Sequence, residues 1–377
     1  MRLRRWSSFA VPVVIALVAA SCGGGGSSSA DKPKQTTTTT APATTTTAPP
    51  PTAPLTGLPD PGSAAEQRPL LSVKIENTPE ARPQTGIDAA DVVYEQVAEG
   101  GITRFIAMFN SNIPDVMGPI RSTRAMDAQV IWPLGGVFAY SGGIPASVAL
   151  VQNSPANAID ETAAGNAMFR ANRSNVPNPA QCCAPHNLFG RGPALLAKGG
   201  KPVPVPALFQ YLAPGEVFNG DPVANFTVDF IQGYRPTYTW DAPSKTWLRS
   251  YGFVPFKAAS GKQIAPTNVI VQLVGCCIPS PEAGSNVVTG TGSALIFSDG
   301  KVIHGSWSRP AKEQVTQYLD AAGQPVKLNP GTTWVELLPI PPFGVGADIT
   351  AGPPPAPTAP PTTLPPSTTT APKKKKK

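Results

Sequence analysis

The chain has 377 residues, 30 of them Lys or Arg and 23 Asp or Glu, for a formal charge of +7. Eight of the positive charges sit at the two ends, as Arg2, Arg4, Arg5 and Lys373–Lys377, so the remainder carries −1. A near-neutral body speaks against nucleic acid as a partner, because a nucleic-acid-binding domain needs a basic face on the fold itself.

In chain order, residues 1–22 come first. Arginines near the start, an apolar run from Phe9 to Ala20 and small residues before Cys22 read as a secretory leader ending in a lipoprotein acceptor cysteine. The apolar run is too short to span a bilayer comfortably. The expectation is a mature chain lipidated (palmitate-type) at Cys22 and held at the extracellular face of the cell membrane. Residues 23–54, with the tracts Thr36–Thr40 and Thr44–Thr47, are too poor in large apolar side chains to fold and read as a stalk. Residues 341–377 have the same Pro/Thr character and close on Lys373–Lys377, a patch suited to anionic wall polymer or lipid headgroups.

The folded body lies between these segments, as an N-terminal domain over 55–200 and a C-terminal domain over 222–340. In the first, strands are expected over Pro69–Glu76, Asp91–Ala98 and Ile102–Phe109, the last two as a hairpin through Gly100-Gly101. A helix capped by Ser122 follows over Arg124–Pro133, then a strand over Gly136–Tyr140 and a helix from Pro145 to Val151. The second half holds short strand candidates separated by turn signals, among them Thr237–Trp240, Trp247–Tyr251, Asn268–Gly275, Lys301–Trp307 and Thr333–Leu337. The fold class is α+β: an α/β N-terminal lobe with a mixed sheet, and a mainly antiparallel β C-terminal lobe.

Four cysteines remain once Cys22 is lipidated: Cys182-Cys183 and Cys276-Cys277. Outside the cytoplasm an even count favours disulfides, with at least one bond expected between the pairs. Adjacent cysteines lack the spacer of a zinc site, so no metal is expected, and no cofactor motif is present. Gly290-Thr291-Gly292-Ser293-Ala294 looks in part like a phosphate loop, but it precedes a strand and reads as a turn. Trp307 and Trp334 read as core aromatics.

Standard catalytic signatures are absent, and His186 and His304 are the only histidines. The densest chemistry lies in the first domain: Arg82, Glu95, Glu99, Arg104, Arg121, Arg124 and Asp127. Arg121 and Arg124 at a helix start would offer guanidinium groups and backbone N–H groups to a phosphate or carboxylate. Glu95, Glu99 and Asp127 would hold a divalent cation or orient the arginines. The same residues also fit an internal ion-pair network. His186 and Asn187, in Pro185-His186-Asn187, fit either an acid–base role or the ordering of a loop.

Several ordered segments carry a resemblance: Leu55-Thr56-Gly57-Leu58-Pro59, Arg82-Pro83-Gln84-Thr85-Gly86, Glu99-Gly100-Gly101-Ile102-Thr103-Arg104, Gly118-Pro119-Ile120-Arg121-Ser122-Thr123-Arg124, Pro185-His186-Asn187-Leu188-Phe189 and Asn329-Pro330-Gly331-Thr332-Thr333-Trp334. Together they resemble the YerB-like lipoproteins of Gram-positive bacteria over nearly the whole body. The resemblance implies a lipid-anchored, two-part extracytoplasmic protein and implies little about activity. The paired cysteines are not part of that pattern. Three functions stay open on these grounds. The first is a non-catalytic envelope lipoprotein binding an anionic wall component or a wall-synthesis protein. The others are an enzyme acting on a phosphorylated or pyrophosphorylated envelope glycolipid, and a solute-binding lipoprotein.

Overall fold

A computed structural model describes residues 51–98, 101–172, 178–199, 204–230, 233–275 and 288–340. Cys22, the stalk up to residue 50, Glu99, Cys276, Cys277 and the lysine tail lie outside the described residues. The last residues assigned to the stalk belong to the body instead, since Thr52 pairs with Pro59 and Ala53 is buried. The first half contributes β1 (Leu71–Glu76), β2 (Val92–Val97), β3 (Thr103–Phe109), β4 (Val116–Met117), α1 (Ala125–Ile131), β5 (Val137–Ala139), α2 (Pro145–Gln152), β6 (Asn157–Ile159), α3 (Glu161–Ala164), β7 (Met168–Arg170), β8 (Leu188–Arg191) and α4 (Gly192–Leu196). The second contributes β9 (Gln210–Tyr211), β10 (Asp221–Pro222), β11 (Asn225–Thr227), β12 (Pro236–Asp241), β13 (Thr246–Tyr251), β14 (Val254–Pro255), β15 (Asn268–Val274), β16 (Gly290–Ser298), β17 (Lys301–Arg309), β18 (Gln317–Leu319), β19 (Lys327–Leu328) and β20 (Thr333–Pro339). The α+β class expected from the sequence is the class observed.

One mixed sheet of eleven strands runs through both halves, in the order β10-β17-β16-β15-β20-β2-β3-β1-β5-β6, with β18 beside β17. β2 and β3 form the expected antiparallel pair, Val92 opposite Met108 and Val97 opposite Thr103. The last strand, β20, joins the halves: it lies parallel to β2 on one side and to β15 on the other. Its seven residues, Thr333 to Pro339, are all buried, as a central strand covered on both faces requires.

Both faces of the sheet are covered. On one, Ile106, Met108, Phe138 and Val335 pack with Val130 and Ile131 of α1 and with Leu208 and Phe209. On the other, Val73, Ile75, Phe105 and Trp334 meet Met168, Leu188 and Leu195. Further along that second face, the antiparallel sheet β11-β12-β13-β14 packs Phe226 and Trp247 onto Phe297. The Phe226 and Phe297 rings stack at 3.6 Å between centroids. Trp307 and Trp334 are 2% and 3% exposed and belong to these cores.

Two local expectations need correction. The first helix begins at Ala125, and Ser122 does not cap it; the carboxylate of Asp127 accepts from the backbone N–H of Arg124 at 2.7 Å. Residues 290–294 are not a turn but the first half of β16. They pair with β17, where a Cβ on Gly292 would come within 2.5 Å of Trp307 Nε1. The small residues there make room for a cross-strand tryptophan.

Candidate functional site

Alternation along β1 sends Val73 and Ile75 to one face of the sheet and Lys74 and Glu76 to the other. Lys74 Nζ donates to Asp127 Oδ1 at 2.7 Å, and neither side chain is exposed. Gln96 donates to the same oxygen. Thr123 Oγ1 and the Arg124 N–H donate to Oδ2 at 2.9 and 2.7 Å. Asp127 thus accepts from four donors at the start of α1. Burial lowers the Lys74 ammonium to about 8; Asp127 opposes that shift, and the charges of Arg104 and Arg124 add to it.

Arg104 stands opposite both Glu76 on β1 and Gln96 on β2, so it shares this face. It is 1% exposed, and its Nη1 donates to the carbonyl of Ser122 at 3.0 Å. Glu76 is fully buried and is met by two basic side chains that are themselves partly exposed. His186 Nδ1 lies 3.0 Å from Oε2, and Arg121 Nε lies 3.1 Å from Oε1. That Arg121 contact is charge attraction without a well-directed hydrogen bond. Arg121 and His186 are 18% and 21% exposed. Asn187 turns away from Glu76: its Nδ2 donates to the Ala171 carbonyl at 3.1 Å, and its Oδ1 accepts from Arg170 at 3.0 Å.

The opposite face carries a second buried network. Glu95 accepts from Arg249 Nη2 at 2.6 Å, Thr103 Oγ1 at 2.6 Å and Asn77 Nδ2 at 3.1 Å. Glu336 stands beside Glu95 in the β2–β20 register and accepts from the Tyr238 hydroxyl. Burial, reinforced by the neighbouring Glu95 charge, pushes the Glu336 carboxyl well above its usual range. Glu95 and Asp127 therefore lie on opposite faces, each with its own cation, and do not converge on one ion.

Arg82 belongs to this second face. Its Nε and Nη2 donate to Asn77 Oδ1 and Asn77 O at 3.1 and 2.8 Å. Its guanidinium carbon lies 4.1 Å from the Tyr251 ring centre, with Tyr234 and Phe256 at 5.6 and 5.8 Å. Beside it opens a groove of about 490 Å³, lined also by Pro83, Val254, Pro255, Phe256 and Lys257.

Six of the seven residues singled out around the arginines, together with His186, thus divide plainly. Arg104, Arg121, Arg124, Asp127 and His186 gather on one side of the sheet; Arg82 and Glu95 gather on the other. No local pattern in the chain marks Lys74, Glu76, Arg249 or Glu336. In strands, Lys74 and Glu76 alternate with apolar residues as solvent-facing positions do. Arg249 lies 154 residues from Glu95. Of the cysteines, Cys182 is partly buried and Cys183 exposed.

The family model for the N-terminal domain of a protein of unknown function, DUF3048, matches residues 55–202, and that for its C-terminal domain matches 226–335. The chain belongs to the DUF3048 family. It is 27% identical over 295 residues to "Putative lipoprotein YerB" of Bacillus subtilis, covering 76% of this chain and 86% of that protein. The crystal structure of YerB from Bacillus subtilis superposes with a TM-score of 0.66 at 25% identity, over 78% of this chain and 97% of that one. The resemblance read from the ordered motifs is therefore established. Among the described residues, no helix is long and apolar enough to cross a membrane.

Proposed function

We propose that this DUF3048 protein is an envelope lipoprotein, held through lipid on Cys22 at the extracellular face of the cell membrane. In this reading its body binds an anionic wall component in the groove beside Arg82. The observation that carries the reading is the state of Arg82. Two of its nitrogens are fixed by Asn77 and its plane lies over Tyr251, while Nη1 has no acceptor among the described residues. Lys257, exposed, lines the same groove. A pre-oriented guanidinium with a free donor, next to a second cation, fits a phosphate or carboxylate. A binding role rather than catalysis is supported by Asp127 and Glu95, both buried and each already engaged by a cation and further donors.

The test is equilibrium binding of poly(glycerol phosphate) to the full mature chain in detergent. Binding is expected to weaken with salt and to fall in Lys257→Glu, whose site is exposed and leaves the fold unchanged by circular dichroism. Binding equal to wild type in Lys257→Glu, or none at low salt, refutes the groove. The anchor is tested separately by mass spectrometry of the membrane fraction, where Cys22→Ala should lose the diacylglyceryl mass. The disulfide reading, with at least one bond between the Cys182-Cys183 and Cys276-Cys277 pairs, is tested by thiol titration of the denatured body. Four reactive thiols would refute it.

A further inference from the structure

A second pocket, remote in character from the cationic groove, lies where two hairpin turns meet the loop before β20. It has a volume of about 190 Å³ and is walled by Trp240, Lys245, Thr267, Asp299 and Asn329. That is below the ~300–1,000 Å³ of a drug-sized ligand site, and so suits a single ring.

The tryptophan is held from behind. Gly300 packs so closely on the indole that a Cβ there would lie 2.7 Å from Trp240 Nε1. Trp247, fully buried, braces it on another side with ring centres 5.1 Å apart. The indole N–H is nonetheless not buried and has no acceptor among the described residues. Around it stand polar groups with spare capacity. Lys245 makes no ion pair among the described residues. Asp299 has only a distant lysine, Lys301 at 3.9 Å. Asn329 uses its Nδ2 on Ser298 Oγ at 2.8 Å, which aims its amide and leaves the side-chain carbonyl for a ligand.

The rims that present these groups are fixed. Lys245 and Asp299 both adopt left-handed backbone, with φ of 53° and 51°, at the tips of the β12–β13 and β16–β17 turns. Asp299-Gly300 is the pair that a two-residue hairpin favours, so the turn holds without help from a ligand. Asp299 and the aromatic wall are thus placed before anything binds, which lowers the ordering cost of binding.

The chemistry selects among ligands. Phosphate is disfavoured by the Asp299 carboxylate. A wholly apolar molecule would leave Asp299, Lys245 and the indole N–H without partners as it desolvated them. A polyhydroxylated ring satisfies all of them. Its C–H face covers the indole, and its hydroxyls donate to Asp299 and Asn329 and accept from Trp240 Nε1 and Lys245. We propose that this pocket is a carbohydrate-binding site that seats one hexopyranose ring of a saccharide on Trp240.

The experiment is saturation-transfer NMR on the full mature chain in detergent, with N,N′,N″-triacetylchitotriose and maltotriose as probes at millimolar concentration. At least one probe is expected to receive saturation, strongest on the protons of one ring. Trp240→Ala should abolish the transfer. Asp299→Asn, which keeps a residue tolerant of the left-handed turn, should weaken binding about tenfold by removing one charged acceptor. If Trp240→Ala fails to fold, Asp299→Asn decides the matter alone. Absence of transfer to both probes overturns the proposal. So does wild-type affinity in a folded Trp240→Ala or in Asp299→Asn.

Discussion

Replacing Arg249 by Met is the most demanding perturbation that this structure offers. Arg249 and Glu95 are both fully buried and lie 2.6 Å apart. The guanidinium carbon also sits 4.3 Å from the Phe256 ring centre, 4.7 Å from Tyr251 and 4.9 Å from Trp334. Methionine fills much of the volume but leaves the Glu95 carboxylate in the interior with only Thr103 and Asn77 as donors. Stranding one partner of a buried ion pair costs ~3–5 kcal/mol. A domain has only about 5–15 kcal/mol in total, so the midpoint of urea unfolding should fall by about a fifth or more. Glu95→Gln combined with Arg249→Met removes both charges and should recover most of the loss, since a neutral replacement of a buried pair is close to neutral in stability. The double-mutant cycle should then give a coupling of ~2 kcal/mol or more. Urea titration followed by tryptophan fluorescence at neutral pH measures all four corners. A single mutant within ~1 kcal/mol of wild type, or a double mutant as unstable as the single, would refute the idea that this pair holds the small sheet on the large one.

Three further outcomes are expected. Glu336 has its carboxyl raised by burial and by Glu95, so the folded state keeps a proton that the unfolded chain releases near its ordinary value. Its contribution is complete below that ordinary value and is lost as pH rises through the raised one, with a slope of up to ~1.4 kcal/mol per pH unit. The slope should be missing in Glu336→Gln, and an unchanged slope across pH 5–9 would count against it. Lys74, lowered to about 8 by burial, should titrate there in a ¹³C-methylated sample, and Asp127→Asn should lower it further because Asp127 supports the charge. A Lys74 signal at the normal lysine value in the folded protein would contradict the buried placement. Gly300→Ala places a side chain at φ 67° and 2.7 Å from Trp240 Nε1, and should lower stability by at least ~1 kcal/mol in thermal melts.

Local signals in the chain reached much of the fold. Alternating apolar residues around Gly100-Gly101 marked β2 and β3, and Pro145 marked the start of α2, because pleat period, turn chemistry and helix-start geometry are written in neighbouring residues. The same reading placed the helix cap at Ser122, when the acceptor that organises that end is Asp127, three residues inside it. It also took residues 290–294 for a turn, because a run of small residues looks the same whether it bends the chain or makes room for Trp307.

The family and the α+β class were decided by sequence alone, since ordered motifs and local periodicity carry both. Which charges meet was decided only by the tertiary structure. β20 slots between β2 and β15 from the far end of the chain, which sets Glu336 beside Glu95 and brings Arg249 over both. Arg82 and Arg121 follow each other in one motif series, yet the sheet puts them with different partners, Asn77 for one and Glu76 for the other. A single residue step along a strand reverses the face it serves, and no sequence spacing records which side a distant strand will cover.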